Sequence, residues 1–132
     1  MRDSQITCYT RDEVEKILET IQNFVFNDNF ILSQNRNRTE NIDFMNEYHL
    51  TIAKVKDIIS RIEVEDFCHG LQNENVGYEH EVLYVFCPQI KLPYGDGVSV
   101  VNIYTKFNII NGERVIVISF HRRNYPIDYL FK

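Results

Sequence analysis

The sequence predicts an α+β fold in which N-terminal helices pack on one face of a small antiparallel C-terminal sheet. Three observations carry that expectation. Apolar residues recur at helical spacing between residues 11 and 62, and from about residue 81 they alternate with polar ones. The dipeptide Asn111-Gly112 then separates two strand-like runs, as expected of a two-residue hairpin turn whose central positions both need φ > 0. At 132 residues the chain is the size of one domain, mainly helical over 1–70 and antiparallel sheet over 76–132.

Thr10-Arg11-Asp12-Glu13 is a capping box, and Val14, Ile17, Leu18 and Ile21 follow on one face, predicting a helix over 11–23. Phe30-Ile31-Leu32 reads as a short strand or an apolar tether. Residues 36–48 form a second helix that can bury Ile42, Phe44, Met45 and Tyr48. Thr51 caps a third, whose stripe is Ile52, Val55, Ile58, Ile59 and Ile62. A helical turn is expected at Val64–His69, stopped by Gly70. That turn places His69 near a helix C-terminus, where the macrodipole favours its charged form.

Glu81–Cys87 is β-branched and aromatic and predicts a strand, and Pro88 to Gly97 reads as a loop. Val101 to Ile109 alternates strictly, with Asn102, Tyr104, Lys106 and Asn108 on one face. Arg114–Phe120 is nearly all apolar, as in a central strand. A two-residue turn at Asn111-Gly112 pairs Ile110 with Glu113, Tyr104 with Ser119, Asn102 with His121 and Lys106 with Val117. The same register pairs Ile103 with Phe120, Thr105 with Ile118 and Phe107 with Ile116. It gathers Tyr104, Lys106, Ser119 and His121 on one side of the ribbon.

Composition narrows the setting. No run approaches the length of apolar residues a membrane helix needs, and the first residues lack the apolar run of a secretory signal. A soluble, cytoplasmic protein with no membrane partner is expected. Three cysteines without regular spacing argue against a disulfide framework, and Cys68 and Cys87 read as small buried residues. Sixteen Ile and thirteen Asn against one Ala fit AT-rich coding, as in low-GC bacteria, their phages or mobile elements. The net charge of −5 is confined to the first half. Residues 1–68 carry eight basic and thirteen acidic side chains, whereas residues 69–132 carry six of each. The chain as a whole lacks a long-range positive field, but its second half can present a local basic cluster.

His121-Arg122-Arg123 is that cluster. Imidazole exchanges protons at cell pH, and guanidinium groups fork onto phosphate. Tyr104 offers a hydroxyl and a ring for stacking, and Lys106 a phosphate partner. His69 and His121 together supply the acid and base that metal-free RNA cleavage requires. A zinc site among Cys68, His69, His80, Cys87 and His121 fits no common ligand spacing, so no metal or cofactor is expected.

Several phrases, in their order, resemble the MqsR family of toxins, a branch of the RelE/ParE-like fold. They are Arg38-Thr39-Glu40-Asn41 to Met45, Val64-Glu65-Asp66-Phe67, Ile103-Tyr104-Thr105-Lys106, and Val117-Ile118-Ser119-Phe120-His121, within about Arg38 to Lys132. The resemblance implies helices on one face of a small antiparallel sheet. It also implies an mRNA interferase, a ribosome-independent endoribonuclease that cuts single-stranded mRNA without metal. Its products carry a 2′,3′-cyclic phosphate and a 5′-hydroxyl, and a partner antitoxin neutralises it. The family's functional positions fall on His69, Tyr104 and His121, with Lys106, Arg122 and Arg123 left to bind phosphate. Where the family carries a glutamine on the first strand, this chain has Leu83-Tyr84-Val85-Phe86. The competing reading is a non-catalytic inhibitor on the same scaffold, phage- or mobile-element-encoded, that binds a host protein through the acidic helical half. A DNA-binding antitoxin ranks last, for want of a basic recognition helix.

Overall fold

The computed structural model describes residues 5–33 and 39–132. Its elements, in chain order, are β1 (Gln5–Ile6), α1 (Arg11–Phe26), β2 (Phe30–Leu32), α2 (Glu40–Glu47), α3 (Ile52–Ser60), β3 (Phe67–Gln72), β4 (Val82–Phe86), β5 (Gln89–Tyr94), β6 (Gly97–Ile110) and β7 (Arg114–Arg122). The sheet runs β1-β3-β4-β6-β7-β2, and β5 pairs with the far half of β6. All pairings are antiparallel except that of β2, which lies parallel to β7. The α+β class is as predicted. Strands from both halves of the chain share the sheet, however, so the division into helices then strands is too simple. None of the described helices is long and apolar enough to cross a membrane.

The helices form for the expected reasons. Thr10 Oγ accepts the N–H of Glu13, and the Glu13 carboxylate accepts the N–H of Thr10. That closed capping box is worth about 1 kcal/mol. The helix then buries Val14, Leu18, Ile21 and Val25 along one stripe and runs three residues past its predicted end. Thr51 caps α3 by accepting the N–H of Lys54. Gln22 on α1 donates to the carbonyls of Ile59 and Ile62, so the end of α3 is satisfied by the neighbouring helix. Helix α2 begins at Glu40; the expected start at residue 36 lies outside the described residues. Four phenylalanines, Phe67, Phe86, Phe107 and Phe120, are completely buried between helices and sheet.

Two expectations fail, both because strand pairing overrides local turn signals. The helical turn after Ile62 is a single 3-10 turn, Val64–Asp66. Phe67 is already extended and pairs with Phe86, and Gly70 lies inside β3 opposite Tyr84. The glycine does not stop a helix there. A Cβ on it would come within 2.6 Å of the Tyr9 hydroxyl, which packs over the strand. The proline- and glycine-containing stretch from Pro88 to Gly97 is also not a loop. Gln89–Tyr94 is a strand that hairpins onto β6 through Gly95-Asp96, with Pro93 tolerated because β5 is an edge.

The β6–β7 register departs from the simple hairpin in an instructive way. Asn111 (φ 51°) and Gly112 (φ 65°) make the expected tight turn, and Glu113 N–H donates to the Ile110 carbonyl. Glu113 is then left outside the ladder, so Ile110 pairs with Arg114 and Phe107 with Val117. A second offset falls at Ile118: Lys106 pairs with Ser119, Thr105 with Phe120, Tyr104 with His121 and Ile103 with Arg122. Each offset alone would turn the strand over. Two of them restore the original faces, so Tyr104, Lys106, Ser119 and His121 still share a side, two residues from their predicted partners.

The bulge at Ile118 is held by Asn41. This side chain is 4% exposed, and its Nδ2 donates to the carbonyls of Ile118 (3.0 Å) and Ser33 (2.9 Å). Its Oδ1 accepts the N–H of Phe120 at 2.8 Å. One amide from α2 thus takes up backbone groups of β7 beside the bulge, on the edge that β2 leaves open beyond Val117, and also ties down the end of β2. We expect Asn41→Ala to lower the unfolding free energy by about 2–4 kcal/mol in urea titrations, since it strands buried peptide groups. The exposed neighbour Asn46→Ala should change it by less than about 0.5 kcal/mol. Equal effects would mean that the amide does not hold the bulge.

Candidate functional site

The register assigns one row of side chains across four strands on the face away from the helices: His69 on β3, Val85 on β4, Lys106 on β6 and Ser119 on β7. Tyr104 and His121 form the next row. Gln5, Leu71, Leu83, Asn108, Ile116 and Ile31 form the row on the other side. Over this floor lies the C-terminal segment that follows the end of β7 at Arg122, in which Pro126 has no N–H to offer a ladder. It crosses the strand ends. Arg123 N–H donates to Asn102, the Tyr129 hydroxyl to the Cys87 carbonyl at 2.7 Å, and Leu130 N–H to Phe67.

Between floor and segment is a pocket of about 510 Å³, lined by His69, Tyr104, Lys106, Ser119, His121 and Arg123, and by Asn124 to Ile127 along the rim. Gln5 and Leu71 complete it. Among the described residues, no carboxylate lines this space, although the chain carries nineteen Asp and Glu and a net charge of −5. Two cations and two imidazoles therefore face a concave, partly water-excluding surface, where field lines are focused and positive potential is concentrated.

Within the pocket His121 is the best-defined group. Its side chain is 12% exposed, and its ring stacks on Tyr104 at 5.5 Å with 28° between planes. Nδ1 lies 2.9 Å from the Arg122 carbonyl. A carbonyl can only accept, so Nδ1 carries a hydrogen and Nε2 is the nitrogen left for chemistry. Nε2 lies 3.7 Å from a carboxylate oxygen of Glu40, and the other oxygen of Glu40 accepts from Asn124 at 2.9 Å. Glu40 is the first residue of α2, so the helix that clamps the bulge through Asn41 also presents the group beside the imidazole.

His69 occupies the far side of the floor and is only 5% exposed. Burial first, and the nearby Lys106 ammonium second, push its imidazole below the usual histidine range. This is the reverse of the sequence expectation, because the residue sits inside a strand and not at a helix end. His69 and His121 are three strands apart, roughly 14 Å at the backbone given ordinary strand spacing. His121 and Lys106 stand on adjacent strands.

Arg122 belongs elsewhere. Its side chain points to the helix face, where it bonds to Glu47 (2.8 Å) and the Tyr48 hydroxyl (2.9 Å) and lies over the Tyr48 ring. Successive strand residues point to opposite faces, so Arg122 and Arg123 cannot both serve one pocket. Cys68 and Cys87 are buried free thiols packed with Val85 and covered by Ile127 and Tyr129 of the C-terminal segment, and burial pushes both up, away from the thiolate. Sequence reading did not select Asn41, Glu40 or the rim from Asn124 to Ile127. For the first two, the available signal is the phrase Arg38-Thr39-Glu40-Asn41, which carries part of the resemblance but was given no site role. For the rim, the Tyr125-Pro126 dipeptide after the strand is the available signal.

Comparison of this chain with family models, with curated proteins and with solved structures gave no match.

The displaced pKa of His69 has a consequence for stability. Because the folded value is lower than the unfolded one, the unfolded chain takes up the proton first as pH falls. The folded state keeps its full advantage above about pH 6.5 and loses it progressively below that, down to the folded pKa. Replacing His69 by Gln should therefore shrink the loss of unfolding free energy between about pH 7.5 and about pH 5. An unchanged pH slope in the variant would show that His69 is not held neutral by burial.

Proposed function

We propose that the chain is an MqsR-like toxin, a metal-independent endoribonuclease that cuts single-stranded mRNA within the pocket over β3, β6 and β7. One observation carries the reading: in an acidic protein, His69, His121, Lys106 and Arg123 meet in the lining of one concave space, with the Glu40 carboxylate beside the His121 imidazole. Such a lining suits a polyanion bearing rings. The fold supplies no reason of its own to collect these groups, since like charges on one sheet face repel one another.

In this reaction the ribose 2′-oxygen attacks the adjacent phosphorus, the bond from phosphorus to the 5′-oxygen breaks, and no water is consumed. A 2′,3′-cyclic phosphate and a 5′-hydroxyl result. His121 Nε2 takes the 2′-hydroxyl proton. Lys106, on the adjacent strand, opposes the charge growing on the non-bridging oxygens and returns a proton to the leaving oxygen. Arg123 provides the second phosphate contact. The spacing moves the acid–base pair expected of His69 and His121 onto His121 and Lys106, and leaves neutral His69 as an acceptor at the far wall. An activity of this kind in the cytoplasm calls for a neutralising antitoxin.

The protein-binding alternative rests on the acidic helical half, and much of that charge is engaged internally. Glu47 bonds Arg122, Asp57 bonds Arg61, Asp28 bonds Lys56, Glu65 bonds Arg11, and Glu13 closes the cap of α1.

The decisive assay incubates the purified protein with an end-labelled single-stranded RNA in the presence of EDTA. We expect fragments ending in 2′,3′-cyclic phosphate, and a rate about 10²–10⁴-fold lower for His121→Ala with unfolding unchanged. Relief of growth arrest by the same substitution would accompany it. A folded protein that cuts no RNA at any pH from about 5 to about 9 would exclude the reading.

A further inference from the structure

The pocket mouth contains an aromatic ring that the proposed chemistry does not use. Tyr125 is 80% exposed, yet it belongs to the pocket lining together with Pro126. The backbone on either side is fixed. Arg123 N–H is bonded to Asn102 and the Asn124 side chain to Glu40 before it, and Tyr129 and Leu130 are bonded to Cys87 and Phe67 after it. Large apolar rings are normally withdrawn from water; this one is held at the rim by a pinned segment, with a proline to stiffen it.

Tyr104, which the sequence offers as the stacking residue, is not placed for that task. One side of its ring is covered by His121, at 5.5 Å and 28°. It also packs against the cluster of Cys68, Val85 and Cys87, together with Ile127 and Tyr129. The ring left to receive a flat ligand is that of Tyr125. The cations Lys106 and Arg123 lie inside the same pocket, and its volume of about 510 Å³ falls in the range that encloses a small organic ligand.

We infer that Tyr125 and Pro126 form a nucleobase subsite, so that the pocket takes a base attached to a phosphorylated ribose, its phosphate toward Lys106 and Arg123 and its base against Tyr125. This rests on the ribonuclease reading for its biological ligand, but it concerns binding and holds whether or not the bound strand is cut. Stacking of this kind tolerates every base, so the subsite adds affinity and fixes the strand at the pocket mouth without selecting a sequence.

Equilibrium binding to the wild-type protein and to Tyr125→Ala and Tyr125→Phe variants tests it, with adenosine 5′-monophosphate, ribose 5-phosphate and a short 2′-O-methyl RNA as probes. Tyr125→Ala should weaken the mononucleotide and the RNA about tenfold, leave ribose 5-phosphate unchanged, and be rescued by Tyr125→Phe. A loss seen only with the RNA would still support the subsite and identify a strand, and not a free nucleotide, as its ligand. Equal weakening of nucleotide and sugar phosphate, no weakening of any of the three probes, or no binding of any probe to the wild type would overturn it. Tyr125-dependent binding in a protein that cuts no RNA would refute the enzymatic reading alone. Cleavage and binding by Tyr125→Ala at the wild-type level would refute the subsite alone.

Discussion

The arrangement of this molecule depends on one buried amide. Asn41 gives both hydrogens and its oxygen to backbone groups around the bulge at Ile118, joining α2 to β7 and to the end of β2. Without that extra residue the ladder begun at Ile110 and Arg114 would continue in register. Tyr104 would then face Phe120, and His121 would turn with Ile103 into the core. The bulge exchanges these faces: Phe120 goes inward against Phe44, and Ser119 and His121 go outward. A bulge exposes peptide groups that need partners, and in a buried strand those partners must come from the protein. Neighbouring residues of one helix, Glu40 and Asn41, thus stand beside the His121 imidazole and brace the strand that presents it.

Electrostatics follow from the same construction. A chain with net charge −5 is a poor candidate for a polyanion ligand when charge is averaged over its surface. Averaging is misleading here, because many of the carboxylates lie on the helical side, where caps and ion pairs with Arg11, Lys56, Arg61 and Arg122 engage them. Lys106 and Arg123 instead line the pocket with His69 and His121, and Glu40 at the start of α2 is the carboxylate that reaches its edge, beside His121 and Asn124. Arg122 and Arg123 illustrate the division: adjacent in sequence, they serve opposite faces, one neutralising the helices and the other charging the pocket.

The α+β class, the three helices, the caps at Thr10 and Thr51, the turn at Asn111-Gly112 and the shared face of Tyr104, Lys106, Ser119 and His121 were all legible in the residues, because each rests on local chemistry. What was not legible depends on partners distant in sequence. Gly70 looks like a helix stop until Tyr9 is seen packed over it, and Pro93 looks like loop until β6 pairs beside it. The face of His121 was inferred correctly from a register wrong by two residues, since the offsets at Glu113 and Ile118 cancel. Arg122 shows the cost of reading a run of like charges as one cluster where a strand alternates them.

The claim on which the account turns is that the bulge brings His121 out of the core and onto Tyr104. Nuclear Overhauser contacts of the His121 ring protons in the folded protein test it most directly. Contacts to the Tyr104 ring, with slow exchange of the Asn41 side-chain amide, are expected. Contacts from His121 to Phe44 or Ile103 instead would place the imidazole beneath the helices and contradict it.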